Sequence, residues 1–98
     1  MSGVAERLRQ ELAEVSWREL RSHVARDTVI VVGPELDLVA AAAAVARDDS
    51  AQIGAWIGAG EVAKPTIEQL ACWEKDLEKP FRMLIVGPYI LAQPVLHG

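Results

Sequence analysis

The sequence is poor in cysteine, histidine and aromatic residues, and it lacks the common catalytic motifs. One cysteine cannot form an intramolecular disulfide, which argues against a secreted disulfide scaffold. One cysteine and two histidines supply too few ligands for a zinc site. Glycine-rich phosphate loops, the GxSxG elbow, CxxC and HExxH are all missing. We therefore expect no metal, no cofactor and no enzymatic activity.

Long apolar segments and positive charge are also scarce. The longest apolar run, Leu38 to Ala46, is too short to span a bilayer, and the charged N-terminus has no apolar signal core. The net charge of −4 gives the chain no overall attraction for phosphate backbones or anionic lipids. We expect a cytoplasmic protein that binds no membrane, and nucleic acid is an unfavourable partner.

The chain has 98 residues, a length at which the core of a single domain is just sufficient, so we expect one domain over residues 1–98. Its 51% hydrophobic residues indicate a globular rather than a disordered chain. Apolar residues at helical spacing predict a first amphipathic helix from Val4 to Val15. A second set, from Trp17 to Val24, points roughly the opposite way. We therefore expect a break near Ser16, where Ser16 and Glu19 form a capping-box pattern.

Two segments read as buried strands. Thr28–Val32 is β-branched and apolar at every position, which is typical of a strand buried on both faces. Phe81–Val86 is similar, and Tyr89–Ala92 continues it after Pro88, which marks a bulge, an edge or a hairpin turn. We expect this C-terminal strand or hairpin to pair with the first strand.

The segment 36–60 has the outline of a helix-turn-helix. Leu38 to Ala46 contains only Leu, Val and Ala, which predicts a central helix buried on all sides. A second helix follows a turn at Asp48 and Asp49 and ends at a glycine signal. The apolar stripe of this second helix consists of Ile53, Trp56 and Ile57, and it should pack on the Leu38–Ala46 helix.

A further helix is predicted over Thr66–Lys79, opened by a Thr66–Gln69 capping box and ended by Pro80. The residues expected on its apolar face are Ile67, Leu70, Trp73 and Leu77. The fold class that these elements predict is α+β and mostly helical. It has two N-terminal helices, a strand, the helix-turn-helix-like unit with a further helix, and the C-terminal strand or hairpin.

Three acids near the central helix have two possible roles. Asp37, Asp48 and Asp49 could bind a divalent cation or act as a general base, but Asp is also common at helix caps and turns. Capping is the better interpretation. An enzyme that uses Asp37, or Asp48 with Asp49, is therefore the weakest of the functional hypotheses.

The helix-turn-helix outline lacks the chemistry for DNA. Its second helix offers Ser50 and Gln52 but no Arg or Lys, and Lys64 is the nearest cation after it. Trp73 could stack on a ligand, although tryptophans on apolar stripes are more often core anchors. The candidate interaction surface consists of Asp37, Asp48, Asp49, Gln52, Lys64 and Trp73.

The chain resembles a family of small bacterial proteins classified only as a domain of unknown function. The resemblance covers nearly the whole chain and implies a stand-alone bacterial cytoplasmic protein, without implying catalytic residues. It rests on Trp17-x-Glu19-Leu20, the strand VIVV, Glu35-Leu36-Asp37-Leu38, Ala44, Asp48-Asp49, Ile53, Trp56, Ala59-Gly60, Lys64-Pro65, Trp73, the strand LIV with Pro88, and Leu91-x-Gln93.

The leading hypothesis is a non-enzymatic interaction module that forms a homodimer and binds another protein. Two or three strands that are apolar on both faces need more cover than a small chain easily supplies, and exposed apolar patches mark interfaces. The alternative is a nucleic-acid-binding regulator that uses the unit 36–60.

Overall fold

The structure, a computed structural model, describes residues 3–95. Over these residues the fold is α+β, with 45% of them in five helices and 25% in five strands, so helix exceeds strand without being the majority. In chain order the elements are α1 (Gly3–Glu11), β1 (Ala13–Ser16), α2 (Trp17–Val24), β2 (Val29–Val32), α3 (Leu38–Ala46), α4 (Ser50–Gly58), β3 (Val62–Ala63), α5 (Ile67–Trp73), β4 (Pro80–Val86) and β5 (Tyr89–Pro94).

The strands within residues 3–95 form one mixed sheet in the order β1-β4-β5-β2-β3. β4 and β5 are an antiparallel hairpin whose turn contains Gly87, with a φ of 65°, and Pro88. β5 lies parallel to β2, with Ile90 beside Val29. The predicted hairpin and its pairing with the strand at Thr28–Val32 are confirmed, whereas β1 and β3 were not predicted.

Helices cover both faces of the sheet. Successive side chains of a strand point to opposite faces, so Val29 and Val32 lie on different sides, and both are buried. One face packs against α1, α3 and α4, and the other packs against α2 and α5. The chain's own helices therefore cover most of the apolar strand faces, which we expected a monomer to leave partly bare. The exception is the end of the β4–β5 hairpin, where Ile85 is 58% exposed and Tyr89 is 43% exposed.

α3 is the central helix that its composition predicted. Its buried residues are Leu38, Val39 and the four alanines 41–44, and it contacts α1, α4, β4 and β5. Small alanine side chains let these neighbours approach closely, which suits a helix that has no polar residue. Within residues 3–95, neither α3 nor any other helix has the length and apolarity needed to cross a bilayer.

The first helix is shorter than predicted. α1 ends at Glu11, and Val15 lies on the edge strand β1, opposite Phe81 of β4. The prediction was wrong for Val15 because its side chain can join the aromatic cluster from a strand as well as from a helix. The break near Ser16 is confirmed, since Ser16 caps α2 and its backbone N–H donates to Glu19 Oε1 at 3.2 Å.

α5 is also shorter than predicted and ends at Trp73 rather than Lys79. Its capping box is confirmed, because the Gln69 N–H donates to Thr66 Oγ1 at 3.0 Å. Ile67 is 85% exposed, so its assignment to the core face is wrong. Trp73 lies about 240° further around the helix, and its burial turns Ile67 toward solvent.

Candidate interaction surface

The acids of the α3–α4 unit cap its helices. The Asp37 carboxylate accepts the N–H of Val39 at 3.0 Å, and the Asp49 carboxylate accepts the N–H of Gln52 at 3.2 Å. Asp48 lies between the helices with a φ of 56°, a conformation that Asp adopts more readily than most residues. Capping, the favoured interpretation, is confirmed for Asp37 and Asp49.

We expect Asp37→Ala to lower the free energy of unfolding by about 1 kcal/mol, because an N-cap acceptor is lost. Urea denaturation of both proteins measures the difference. Asp37→Ser is the control, since a serine hydroxyl can accept the same N–H and should retain most of the stability. Equal losses in the two variants would contradict the capping role.

The four sequence-predicted polar groups of this unit do not form one patch. Asp48, Asp49 and Gln52 lie within one turn, whereas Asp37 lies at the opposite end of α3, about 13 Å away for a nine-residue helix.

Lys64 follows the edge strand β3 and forms a hydrogen bond with Asp27, so neither residue of this pair belongs to the unit 36–60. Its Nζ donates to Asp27 Oδ2 at 2.8 Å. This hydrogen bond and the charge of Asp27 raise the pKa of Lys64 above its ordinary value of 10.5. The favourable effect on folding is therefore complete below pH 10.5 and is lost as the pH rises through the higher folded-state pKa.

Trp73 is not a surface residue. It is 6% exposed, and its ring centroid lies 5.0 Å from that of Phe81 and 5.1 Å from that of Trp17. The indole N–H of Trp17 donates to Glu74 Oε2 at 2.6 Å on the rim of this cluster. Trp73 is therefore a core anchor and drops out of the candidate interaction surface.

α4 exposes an uncharged face. Its helix contains no buried residue, and no residue from Ser50 to Gly60 is charged, although 24% of the chain is. At about 100° per residue, Ala51, Gly54, Ala55 and Gly58 lie within about 50° of the direction opposite to the midpoint between Ile53 and Trp56. A Cβ built on Gly54 or Gly58 would meet no atom within 4 Å. These four residues form what we call the outer face of α4.

The apolar stripe predicted for this helix is only partly correct. Trp56 is half-buried and packs against the cluster that contains α3. Ile57 does not pack there and is 57% exposed, because it lies about 100° from Trp56 and only one side of α4 meets α3. Ile57 instead borders the outer face of α4 and adds an apolar side chain to it.

A cleft opens at the carboxyl ends of the parallel strands β2 and β5. It consists of two adjoining concavities of about 160 and 300 Å³, which share Pro34 and Pro94. The smaller concavity is completed by Arg82, Gln93 and Val95. The larger one lies between β2, β3 and the start of α5.

Gln93 organises this cleft. It is 8% exposed, and its Nε2 donates to the carbonyl oxygens of Gly33 and Leu36, each at 2.6 Å. These two bonds fix the loop between β2 and α3. Neither Gln93 nor Arg82 was predicted as a site residue. The available signal was one polar residue inside the apolar run Phe81–Val86 and another directly after Tyr89–Ala92.

The described part of the chain offers little for metal or thiol chemistry. Nowhere between residues 3 and 95 do three His, Cys, Asp or Glu side chains converge as a metal site requires. Cys72 is a free, exposed thiol on α5. What remains as candidate sites is therefore the outer face of α4 and the cleft.

Comparison with known proteins gives a family and a structural relative. The NMR solution structure of PA1075 from Pseudomonas aeruginosa superposes with a TM-score of 0.79 and is 29% identical, covering 99% of this chain and 89% of that one. No curated protein matches the chain. The model of a family described as "Protein of unknown function (DUF2288)" matches residues 3–94. The chain therefore belongs to the DUF2288 family.

Proposed function

We propose that this protein is a non-enzymatic interaction module of the bacterial cytoplasm, which forms a homodimer through the outer face of α4 and binds another protein. The supporting observation is an exposed helix without charge on a chain whose net charge is −4. Soluble surfaces normally intersperse charges, so an uncharged, open helix face is a candidate for contact with protein.

Charge favours a second copy as the occupant. A two-fold axis places a surface patch against itself, so a patch of one charge sign would face its own sign. Two copies that each carry −4 repel, and an uncharged face is the place where this repulsion is smallest. Gly54 and Gly58 also let two helix backbones approach closely, while Ile57 supplies apolar area at the border.

The size of the face predicts a weak dimer. A helix of nine residues is about 13 Å long, so two such helices bury less than the roughly 1,200–2,000 Å² of a standard stable interface. We therefore expect dissociation in the micromolar range or above, with monomer and dimer in exchange. A weak self-contact is also one that a different protein partner can replace.

We expect light scattering after size exclusion to show a mass that rises from 10.7 kDa toward twice that value with concentration. Ile57→Glu should hold the mass at the monomer value, because the new charge would face its own copy across the axis. Ile67→Glu is the matched control. It adds the same charge at an isoleucine that is 85% exposed on α5, and it should leave the dilution curve unchanged.

The salt dependence of dimerisation distinguishes an uncharged interface from one that is held by ion pairs. Higher salt screens the repulsion between acidic copies, so the dimer should become tighter, whereas an ion-paired interface would weaken. A wild-type mass that stays at 10.7 kDa throughout would overturn self-association. A dimer that survives Ile57→Glu would keep self-association and reject α4 as its surface.

A further inference from the structure

We propose that the smaller concavity of the cleft binds the carboxyl-terminal residue of a peptide. In this site the Arg82 guanidinium would hold the terminal carboxylate, and the Gln93 side-chain carbonyl would accept the N–H of the same residue. The inference uses residues of β4 and β5 and is independent of self-association through α4.

The orientation of the Gln93 amide follows from its partners. Both are carbonyl oxygens, so the atom that faces them must be the NH₂ nitrogen, which can donate twice. The amide oxygen therefore points away from the loop of Gly33 and Leu36. Because Gln93 lines the smaller concavity, this oxygen is an acceptor held in a fixed position by a side chain that is more than nine-tenths buried.

Arg82 stands directly beside Gln93. The two residues are partners in the β4–β5 register, and directly opposed residues have Cβ atoms about 4.5–5.5 Å apart. In the described part of the chain the ion pairs within 4.0 Å involve Arg18, Arg21 and Lys64 but not Arg82. The exposed guanidinium of Arg82 is thus available to a ligand, and guanidinium geometry suits a carboxylate with two parallel hydrogen bonds.

The guanidinium of Arg82 is a donor and the amide oxygen of Gln93 is an acceptor, and this combination fits the carboxyl end of a peptide better than a phosphate. A phosphate group presents acceptor oxygens in several directions and would meet the Gln93 oxygen unfavourably. A terminal carboxylate has an amide N–H on the adjacent carbon, which matches an acceptor beside the guanidinium. The other lining residues, Pro34, Pro94 and Val95, suit a small apolar side chain in a space of about 160 Å³.

The test is an NMR titration of the full ¹⁵N-labelled chain with acetylated trialanine that has a free carboxylate, and separately with its C-terminal amide. At about 10 mM peptide a Kd of about 1 mM or less gives near saturation. The free acid should shift the backbone amide signals of Gly33, of residues 35–37, and of Gln93 and Val95, since Pro34 and Pro94 have no N–H. The amide should bind at least about tenfold more weakly, since the charge-assisted pair is lost.

Arg82→Gln should weaken binding of the free acid by about tenfold or more, because one charged donor fork is removed. Arg26→Gln is the matched control, as it removes the same charge from an exposed position before the start of β2, at the other end of that strand. Glu14 lies opposite Arg82 in the β1–β4 register, so Glu14→Gln should tighten binding by removing a neighbouring negative charge.

Equal binding of acid and amide, or equal losses from Arg82→Gln and Arg26→Gln, would overturn the assignment of the carboxylate to Arg82. Sodium acetate that reproduced the full set of shifts would show a simple anion site and would overturn the peptide ligand. The absence of any shift at about 10 mM peptide would overturn the site altogether.

Discussion

Trp17→Ala is expected to lower the free energy of unfolding by about 3–5 kcal/mol, the range for large aromatic truncations in cores. Trp17 is 2% exposed and packs against both Trp73 and Phe81, with ring centroids 5.1 and 5.9 Å away. Its removal leaves a cavity where α2 and α5 meet the sheet. Urea unfolding followed by far-UV circular dichroism measures the loss without relying on tryptophan fluorescence.

Two further variants complete this test: one separates the ring of Trp17 from its hydrogen bond, and the other truncates a less buried tryptophan. Trp17→Phe keeps an aromatic ring but loses the hydrogen bond to Glu74, so we expect a cost of about 1–3 kcal/mol. Trp56→Ala removes a half-buried tryptophan from α4 and should cost clearly less than Trp17→Ala. If Trp17→Ala cost no more than Trp56→Ala, the aromatic cluster would not be the centre of that face of the core.

Gln93→Met is expected to cost about 2–3 kcal/mol, because two carbonyl oxygens lose a buried donor while the side-chain length is kept. The effect should be local as well as global. Hydrogen exchange should accelerate at Leu36, whose N–H donates to Gly33 O within the loop that Gln93 holds.

The control for this substitution is Gln10→Met, at an exposed position on α1, where we expect a change within about 0.5 kcal/mol. Equal changes in the two variants would show that Gln93 does not organise the loop. Unchanged exchange at Leu36 in Gln93→Met would lead to the same conclusion.

Local composition could predict the elements that consist of a run of strong helix-forming or strand-forming residues. The alanine run of α3 favours a helix and the β-branched run of β2 favours a strand in almost any surroundings. Both elements were located correctly. The short strands β1 and β3 have no such pattern. They exist because a neighbouring strand offers them hydrogen bonds, which is a tertiary effect that no local window contains.

The errors at Ile57 and Ile67 have a related cause. Helical spacing shows which residues share a side, but it does not show how much of that side meets the core. α4 touches the core mainly through Trp56, and α5 is fixed by Trp73, so an isoleucine about 100° or more away is left in solvent. The two tryptophans set the rotation of their helices.

The candidate sites were predictable to different degrees. The lack of charge from Ser50 to Gly60 is visible in the sequence, but the sequence did not show that only the Trp56 side of this helix packs on the core and that its outer face is exposed. The Arg82–Gln93 pair depends on the register of the β4–β5 hairpin. The sequence placed Arg82 inside an apolar strand and Gln93 directly after one, without showing that the two are neighbours.

Self-association through the outer face of α4 is tested most directly by recording amide NMR spectra of the ¹⁵N-labelled chain from about 10 μM to about 1 mM, a range that brackets micromolar dissociation. Signals of residues 51–58 should shift progressively with concentration, while those of α2 on the opposite face of the sheet remain fixed. Concentration-independent signals at 51–58, or shifts confined to another surface such as residues 84–86 of β4, would contradict it.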